Sequence, residues 1–295
     1  MKRIFLLIVT NLAVILTLTL VTNLLCAVLG TTIEAAVGPE WSRLVVFAFV
    51  YGFLGAIISL LLSKSIAKMS CHAQTIDGTE GEAERWLVAT VEDLARAAGV
   101  KTPEVAVYPG AANAFATGAF RNHALVAVST DIMKQMTKEE LRAVLGHEIS
   151  HVANGDMVTL TLIQGVLNAC VIFFSRALAA VFTSGRDRRR GGGLYTLAVI
   201  VLQLSLGVLA SLIVYWHSRR REYAADAGSA RLLGSPAAMI AALRRLGNLQ
   251  SGVLPDSLKA FGVSGSSKTS VWSTHPALED RIQALENLPP TDFLR

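Results

Sequence analysis

The chain has 295 residues, of which 52% are hydrophobic and only 17% are charged, and its mean hydropathy is +0.48. This balance excludes an ordinary soluble domain and predicts a membrane protein with a modest polar part. The net charge of +5 does not indicate nucleic-acid binding, because the basic residues cluster at the ends of apolar runs and no nucleic-acid motif occurs. The three cysteines form neither a disulfide framework nor a C-x-x-C pattern, so a metal ion would need histidine and carboxylate ligands.

The chain begins with two apolar runs joined by a short acidic segment. Ile4–Leu29 is long enough to cross a bilayer and reads as a signal anchor, and Leu44–Leu62 forms a second span. Basic residues flank the two outer ends of this hairpin at Lys2, Arg3, Lys64 and Lys68. The positive-inside rule therefore predicts that both outer ends face the cytoplasm.

Residues 63–156 have the composition of a globular domain. The pattern predicts a helix over Glu82–Ala98 and strands over Glu104–Tyr108 and His123–Ser129. Between the strands, Asn113–Gly118 is either an edge strand, to which an extended peptide could add, or part of an ordinary hairpin. The sequence leaves both interpretations open.

The next helix carries an H-E-x-x-H sequence, from His147 to His151. Thr137 and Glu140 predict a capping box at its start, and Asn154-Gly155 suits a left-handed cap at its end. Histidines four residues apart share one face of a helix, so both imidazoles can bind one metal ion. Glu148 lies beside them, placed to take a proton from a metal-bound water. The motif predicts a hydrolytic zinc site.

Two further apolar runs follow, Val158–Phe182 and Leu194–Trp216. If both cross the membrane, the arginine-rich loop 183–193 lies outside, against the positive-inside rule. The lengths of the runs favour two crossings over a hairpin that enters without spanning. Either arrangement returns the chain to the side from which it entered.

An acidic pair stands directly after this return. Glu222 and Asp226 are four residues apart and share a helix face. A site with two histidines needs a third protein ligand, for which we choose Glu222. Asp226 would then accept the free N–H of a liganding histidine. The alternative is a solvated acidic face paired with the arginines at 219–221.

The C-terminal part predicts a small helical subdomain. Ser235-Pro236 begins a helix that runs to about Leu249, residues 250–274 are rich in glycine and serine, and Pro276 opens a last amphipathic helix. His275, at that helix start, could stabilise the oxyanion of a tetrahedral intermediate or could be a surface cap.

Taken together, the motifs resemble the HtpX-type membrane zinc endopeptidases of bacteria, which are relatives of the CAAX prenyl endopeptidases. The resemblance spans nearly the whole chain. It rests on the start Met1–Leu6, on Asn113–Gly118, Gly146–Asp156 and Ser218–Asp226, and on Ser273–Pro276.

The resemblance implies one zinc ion per chain, held by His147, His151 and Glu222, with Glu148 as general base. It implies a multi-pass protein of the inner membrane whose catalytic domain is cytoplasmic and which removes misfolded or damaged membrane proteins under stress. The expected fold is mainly α, with four apolar helices and a zincin-like α+β catalytic domain containing a small sheet. We predict a transmembrane hairpin at 1–63, the first part of the protease domain at 64–157, a second hydrophobic hairpin at 158–217, and the second part of the protease domain at 218–295.

Two other functions fit the same residues. One is a dedicated processing protease for a lipidated or membrane-anchored substrate. The other is a non-catalytic membrane protein with structural zinc, which would need a fourth protein ligand, most plausibly His275. The expected partners are unfolded or membrane protein substrates and the lipid bilayer, and no nucleic acid; the sequence does not indicate an oligomeric state.

Overall fold

A computed structural model describes residues 41–183, 192–248 and 275–292 of the chain. Its elements in chain order are α1 (Trp41–Cys71), β1 (Gln74–Ile76), α2 (Glu82–Ala97), β2 (Glu104–Tyr108), β3 (Ala114–Thr117), β4 (Leu125–Ser129), α3 (Thr130–Gln135), α4 (Lys138–Asn154), α5 (Asp156–Phe182), α6 (Gly193–Leu233), α7 (Ala237–Asn248) and α8 (Leu278–Glu286), followed by a short 3₁₀ turn, Pro290–Asp292. The described residues form two compact units: one comprises residues 41–58, 161–183 and 192–214, and the other residues 59–160, 215–248 and 275–292.

The first unit consists of long apolar helices in its described part. Within the described ranges, α1 from Leu44, α5 and α6 are long and apolar enough to cross a membrane. Large apolar side chains on α1 and α6 are exposed, as expected for surfaces that face lipid; examples are Val46, Leu54, Leu197, Leu204 and Leu209. The predicted run Ile4–Leu29 lies outside the described residues. The expected fold, mainly α with apolar helices and a small sheet, is confirmed.

Helix α6 continues beyond its apolar part without a break. It extends for 41 residues, so the apolar run that ends at Trp216 and the segment that carries Glu222 and Asp226 form one helix. No glycine or proline interrupts the sequence between Trp216 and Asp226. The acidic pair therefore lies on a helix and not in a loop that follows it.

The second unit contains a four-stranded sheet in the order β1-β2-β4-β3. Strands β2 and β4 are parallel, and the outer strands β1 and β3 are antiparallel to their neighbours. Strand β2 has its predicted bounds, whereas β4 begins at Leu125 because His123 belongs to the preceding turn. Both interpretations of Asn113–Gly118 are combined, since β3 forms a hairpin with β4 and is also an edge strand.

Among the described residues, no strand pairs with the edge of β3 that faces away from β4. The backbone N–H of Ser129 donates to Asn113 O at 2.9 Å, so these two residues form a hydrogen-bonded pair. Hydrogen-bonded and non-hydrogen-bonded pairs alternate along the two antiparallel strands from this point. The backbone groups of Ala114 and Ala116 consequently point away from β4.

Helices α2, α4, α7 and α8 build one hydrophobic core with the sheet. Their buried side chains include Leu87, Val91, Leu94, Val144, Leu145, Ile149, Met239, Leu243 and Leu285, which pack with Val126 and Val128 of β4. Helix α4 lies within this core, and eleven consecutive or near-consecutive residues from Leu141 to Val152 are buried. The H-E-x-x-H sequence is therefore held on a rigid, fully packed helix.

Candidate metal centre

Helix α4 has the termini that the sequence predicts. Thr137 Oγ1 accepts the backbone N–H of Glu140 at 3.2 Å, and Glu140 Oε2 accepts the backbone N–H of Thr137 at 2.9 Å, which completes the capping box. At the other end Gly155 adopts φ 68°, a left-handed conformation that favours glycine. The chain then turns directly into α5 at Asp156.

Small residues bring α6 close to α4. A Cβ atom on Gly146 would lie 2.9 Å from Ser229 Oγ, and a Cβ atom on Gly228 would overlap Ser150 Oγ. Ser229 Oγ also donates to the backbone oxygen of Ala143 at 2.7 Å. This close approach places the acidic face of α6 against the histidines of α4.

Three side chains meet at this crossing with their metal-binding atoms facing one another. The Nε2 atoms of His147 and His151 are 3.1 Å apart. Glu222 Oε2 lies 3.5 Å from His147 Nε2, and Glu222 Oε1 lies 3.5 Å from His151 Nε2. Within the described ranges, these three residues form the group whose ligand atoms could hold one ion.

The opposite ring nitrogens fix the tautomers of both histidines. His147 Nδ1 lies 2.8 Å from Asp226 Oδ1, and His151 Nδ1 lies 2.6 Å from Asp156 Oδ2. Each Nδ1–H therefore donates to a carboxylate, and each Nε2 presents a lone pair. Lone pairs of two imidazoles and one carboxylate converge on a single point, an arrangement that requires a positive charge between them. The residues fit a metal cation.

The pKa of His147 also indicates that the site favours a positive charge. Burial alone would lower this pKa, but the hydrogen bonds to Asp226 and Glu222 outweigh burial and raise it to about 9. Burial lowers the pKa of His151, although the hydrogen bond to Asp156 acts to raise it. Without a metal ion, His147 carries a second proton, which supplies the positive charge between the ligand atoms. Binding of a metal ion would release this proton.

A buried arginine supports the ligand set from α8. Arg281 has no exposed surface, and its Nε and Nη2 donate to Asp226 Oδ2 and Oδ1 at 2.8 and 2.7 Å. Its Nη1 lies 3.7 Å from Glu222 Oε2. Two charge-assisted hydrogen bonds to one carboxylate fix the position of Asp226, and Asp226 in turn orients the His147 ring.

Glu148 lies beside the ligands with only 1% of its surface exposed. Burial raises its pKa to about 7, although the nearby backbone N–H of Ala116 on β3 acts to lower it. Among the described residues, its buried Oε2 atom has no hydrogen-bond partner. A carboxylate with such a pKa can both take up and return a proton near neutral pH.

The C-terminal segment brings one more candidate to the centre. His275 is 5% exposed, which excludes the surface cap as its role, and its Nδ1 lies 2.9 Å from Glu222 Oε2. The structure thus gathers all six predicted residues in one place, although their roles stay predictions. Sequence reasoning missed Asp156 and Arg281.

Comparison with known proteins identifies the family. Residues 82–288 match the description of peptidase family M48. The chain belongs to this family. It is 50% identical over 292 residues to the protease HtpX homolog of Janthinobacterium sp. (strain Marseille), covering 98% of this chain and 100% of that protein. It is 51% identical over 293 residues to the protease HtpX homolog of Verminephrobacter eiseniae, covering 97% and 99% of the two chains.

The fold also resembles that of a solved structure. The crystal structure of S. mikatae Ste24p has a TM-score of 0.55 and 17% sequence identity, and the match covers 95% of this chain. The chain spans 66% of the length of Ste24p, so the likeness shows a shared fold and no more. M48 membership, with the apolar helices, makes the chain a bacterial membrane-embedded metalloendopeptidase that uses a metal cofactor and acts on proteins.

Proposed function

We propose that this M48 peptidase uses one zinc ion, held by His147, His151 and Glu222, to hydrolyse misfolded or damaged membrane proteins at the cytoplasmic face of the inner membrane. The observation that carries the proposal is the convergence of His147 Nε2, His151 Nε2 and the Glu222 carboxylate beside the buried Glu148: the two nitrogens are 3.1 Å apart, and each lies 3.5 Å from one of the two Glu222 oxygens. Zinc binds imidazole and carboxylate at about 2.0–2.2 Å in a tetrahedron, for which ligand atoms stand roughly 3.3 Å apart. The spacing and the donor types both support zinc.

The zinc ion would supply Lewis-acid activation of a water molecule and of the scissile carbonyl. Glu148 Oε2, which has no hydrogen-bond partner, accepts the proton of the attacking water. The protonated Glu148 then donates this proton to the nitrogen of the departing amine. We assign to His275, whose Nδ1 lies 2.9 Å from Glu222 Oε2, the stabilisation of negative charge that develops on the carbonyl oxygen.

The open edge of β3 supports binding of an extended substrate. Ala114 and Ala116 direct backbone groups away from β4, and Ala116 also touches Glu148. A peptide that pairs with this edge lies next to the general base, recognised through its backbone rather than its side chains. Such recognition suits unfolded segments of many sequences.

Helix lengths support an active site at the membrane surface. Helix α5 has 27 residues, or about 40 Å, close to the roughly 40–45 Å thickness of a bilayer with its headgroups. Its first residue, Asp156, binds the ligand His151. In α6, Glu222 follows Trp216 by six residues, or about 9 Å, after the end of the apolar run. The basic residues Lys64 and Lys68 favour the cytoplasmic side for this surface.

The proposed topology divides the chain at the boundaries that the sequence predicts. We propose hairpins at 1–63 and 158–217, which hold the protease segments 64–157 and 218–295 at one membrane face.

One observation supports the alternative of a structural zinc site, namely the position of His275 near Glu222. If His275 bound the ion as a fourth protein ligand, no position would remain for water.

The test compares the native chain with Glu148→Gln in cleavage of an unfolded reporter such as casein. Glu139→Gln is the matched control, because Glu139 is an exposed residue of the same helix. We expect Glu148→Gln to keep its zinc and lose cleavage, and Glu139→Gln to retain both. Zinc-dependent cleavage that survives in Glu148→Gln would contradict the assigned base, and tightly bound zinc without cleavage in the native chain would support the structural alternative.

A further inference from the structure

The tip of the β3–β4 hairpin exposes an aromatic side chain that the fold leaves uncovered. Phe120 is 60% exposed, and the adjacent Arg121, Asn122 and His123 are exposed as well. Within the described ranges and outside the long helices α1, α5 and α6, Phe120 is the one exposed large hydrophobic residue. Phe120 belongs to the catalytic unit, in which the other exposed large apolar residues, Leu61, Leu62, Met69 and Trp216, all lie on α1 or α6.

The turn holds Phe120 and Arg121 at its outermost point. Gly118 adopts φ 137°, and a Cβ atom there would lie 2.6 Å from the backbone oxygen of His123. The backbone N–H of His123 donates to Phe120 O at 2.9 Å and closes the turn. A tight, hydrogen-bonded turn that requires glycine presents the two side chains in a fixed position.

The hairpin tip lies against the start of a candidate membrane span. A shallow depression open to solvent separates the tip from the first turn of α5, and Phe120, Arg121, Val152 and Met157 are among the residues that line it. Helix α5 is about as long as a bilayer is thick, so if it spans the membrane its first turn would lie in the headgroup layer. Phe120 and Arg121, beside that turn, would then lie in the same layer.

We propose that this tip is an interfacial anchor, which inserts Phe120 at the boundary of headgroups and acyl chains and binds the phosphate of an anionic phospholipid through Arg121. Aromatic residues concentrate at this depth of the membrane, and a neighbouring arginine reaches the headgroups. The anchor would lie at the end of β3, the strand whose Ala116 contacts Glu148. It fixes the depth of the substrate-binding edge relative to the bilayer.

The anchor rests on the proposed crossing of the membrane by α5 and does not require zinc. For the membrane protein substrates of the proposed function, the anchor would take part in selection, because segments that leave the membrane surface would meet the β3 edge at the depth that the anchor sets. An apolar substrate side chain is the competing occupant of the depression. A test therefore has to distinguish lipid from peptide.

The experiment measures tryptophan emission from Phe120→Trp in bilayers that contain brominated phospholipid, which quenches indole at the depth of the bromines. The matched control is Glu139→Trp, an exposed position 16 residues, or about 24 Å along α4, before Gly155. The native chain supplies the background of its four tryptophans. Thermal unfolding of both variants checks that they fold as the native chain does.

We expect the emission added at position 120 to shift to shorter wavelength and to be quenched, and the emission added at position 139 to remain. Arg121→Glu in the Phe120→Trp background should reduce quenching in bilayers with anionic lipid and change it little in neutral bilayers. Absence of quenching at position 120, or equal quenching at both positions, would overturn the anchor. An emission at position 120 that ignores lipid but changes on addition of unfolded casein would assign the depression to substrate and also overturn it.

Discussion

Substitutions of Arg281 should show separately how much the buried ion pair contributes to the free energy of unfolding and how much it contributes to metal affinity. Asp226 receives hydrogen bonds from Arg281 Nε and Nη2 at 2.8 and 2.7 Å and lies 2.8 Å from His147 Nδ1, all at nearly complete burial. Arg281→Met leaves the carboxylate buried without its cation, so the metal-free protein should lose about 3–5 kcal/mol of unfolding free energy. Arg281→Lys keeps the charge but not the two-pronged contact and should lose about 1.5–3 kcal/mol.

The double variant Asp226→Leu/Arg281→Met tests the cause. Replacing both partners with apolar residues of similar size removes the unpaired charge, so most of the lost stability should return. Metal affinity should not return, because His147 still lacks the acceptor that orients its ring; a fall of about 10–100-fold is expected, or roughly 1.4–2.7 kcal/mol.

Two assays give these values independently. Thermal unfolding in detergent without metal reports stability, which bound metal would otherwise raise by mass action. Competition with a chromogenic chelator reports metal affinity. A double variant as unstable as Arg281→Met would contradict the unpaired charge as the cause of the lost stability. A double variant with the metal affinity of the native chain would contradict the orienting role of Asp226.

Three further predictions use other parts of the structure. Gly228→Ala should force α6 away from α4 and lower both stability and metal content, whereas Gly207→Ala, with no atom within 4 Å of its added Cβ, should do neither; unfolding and metal analysis of both variants would show this. Two lysines, which outweigh the effect of burial, lower the pKa of Glu104 to about 2, so its contribution to stability is present above about pH 4.5 and is lost as the pH falls towards 2. Unfolding temperatures between pH 6 and pH 3 should fall more in the native chain than in Glu104→Gln, by an amount equivalent to about 1 kcal/mol, and parallel curves would exclude the ion pairs as a source of stability. Burial raises the pKa of Glu148 to about 7 in the metal-free chain, so its carboxyl should titrate there at a pH above that of an ordinary carboxyl. An infrared titration of the metal-free chain in which Glu148→Gln removes only a carboxyl band of ordinary pKa would contradict this.

Local sequence signals predicted the catalytic helix well. The capping box of Thr137 and Glu140 and the left-handed Gly155 depend on contacts between neighbouring residues, and each is present. Strand β2 has its expected bounds for the same reason. β1 was not predicted, because three residues that gain their order from pairing with β2 have too short a pattern to recognise.

The residues that support the metal ligands depend on distant contacts, which the sequence shows only indirectly. Arg281 lies 55 residues from Asp226, and its helix was read simply as amphipathic. A signal was available, because Arg281 falls among Leu278, Ile282 and Leu285 on the apolar face of α8, where a charge needs a buried partner. Asp156 follows the helix cap that Asn154-Gly155 predicts, and only the turn at Gly155 directs its side chain back to His151.

The most direct test of the account is the ligand set of the bound ion. X-ray absorption at the zinc edge of the purified chain, loaded with one equivalent of zinc, counts the imidazoles and detects sulfur. The account predicts two imidazoles with oxygen in the other positions, an unchanged spectrum in His275→Ala, and loss of one imidazole in His147→Ala. A third imidazole that disappears in His275→Ala would close the site against water and contradict the assignment of this centre as catalytic.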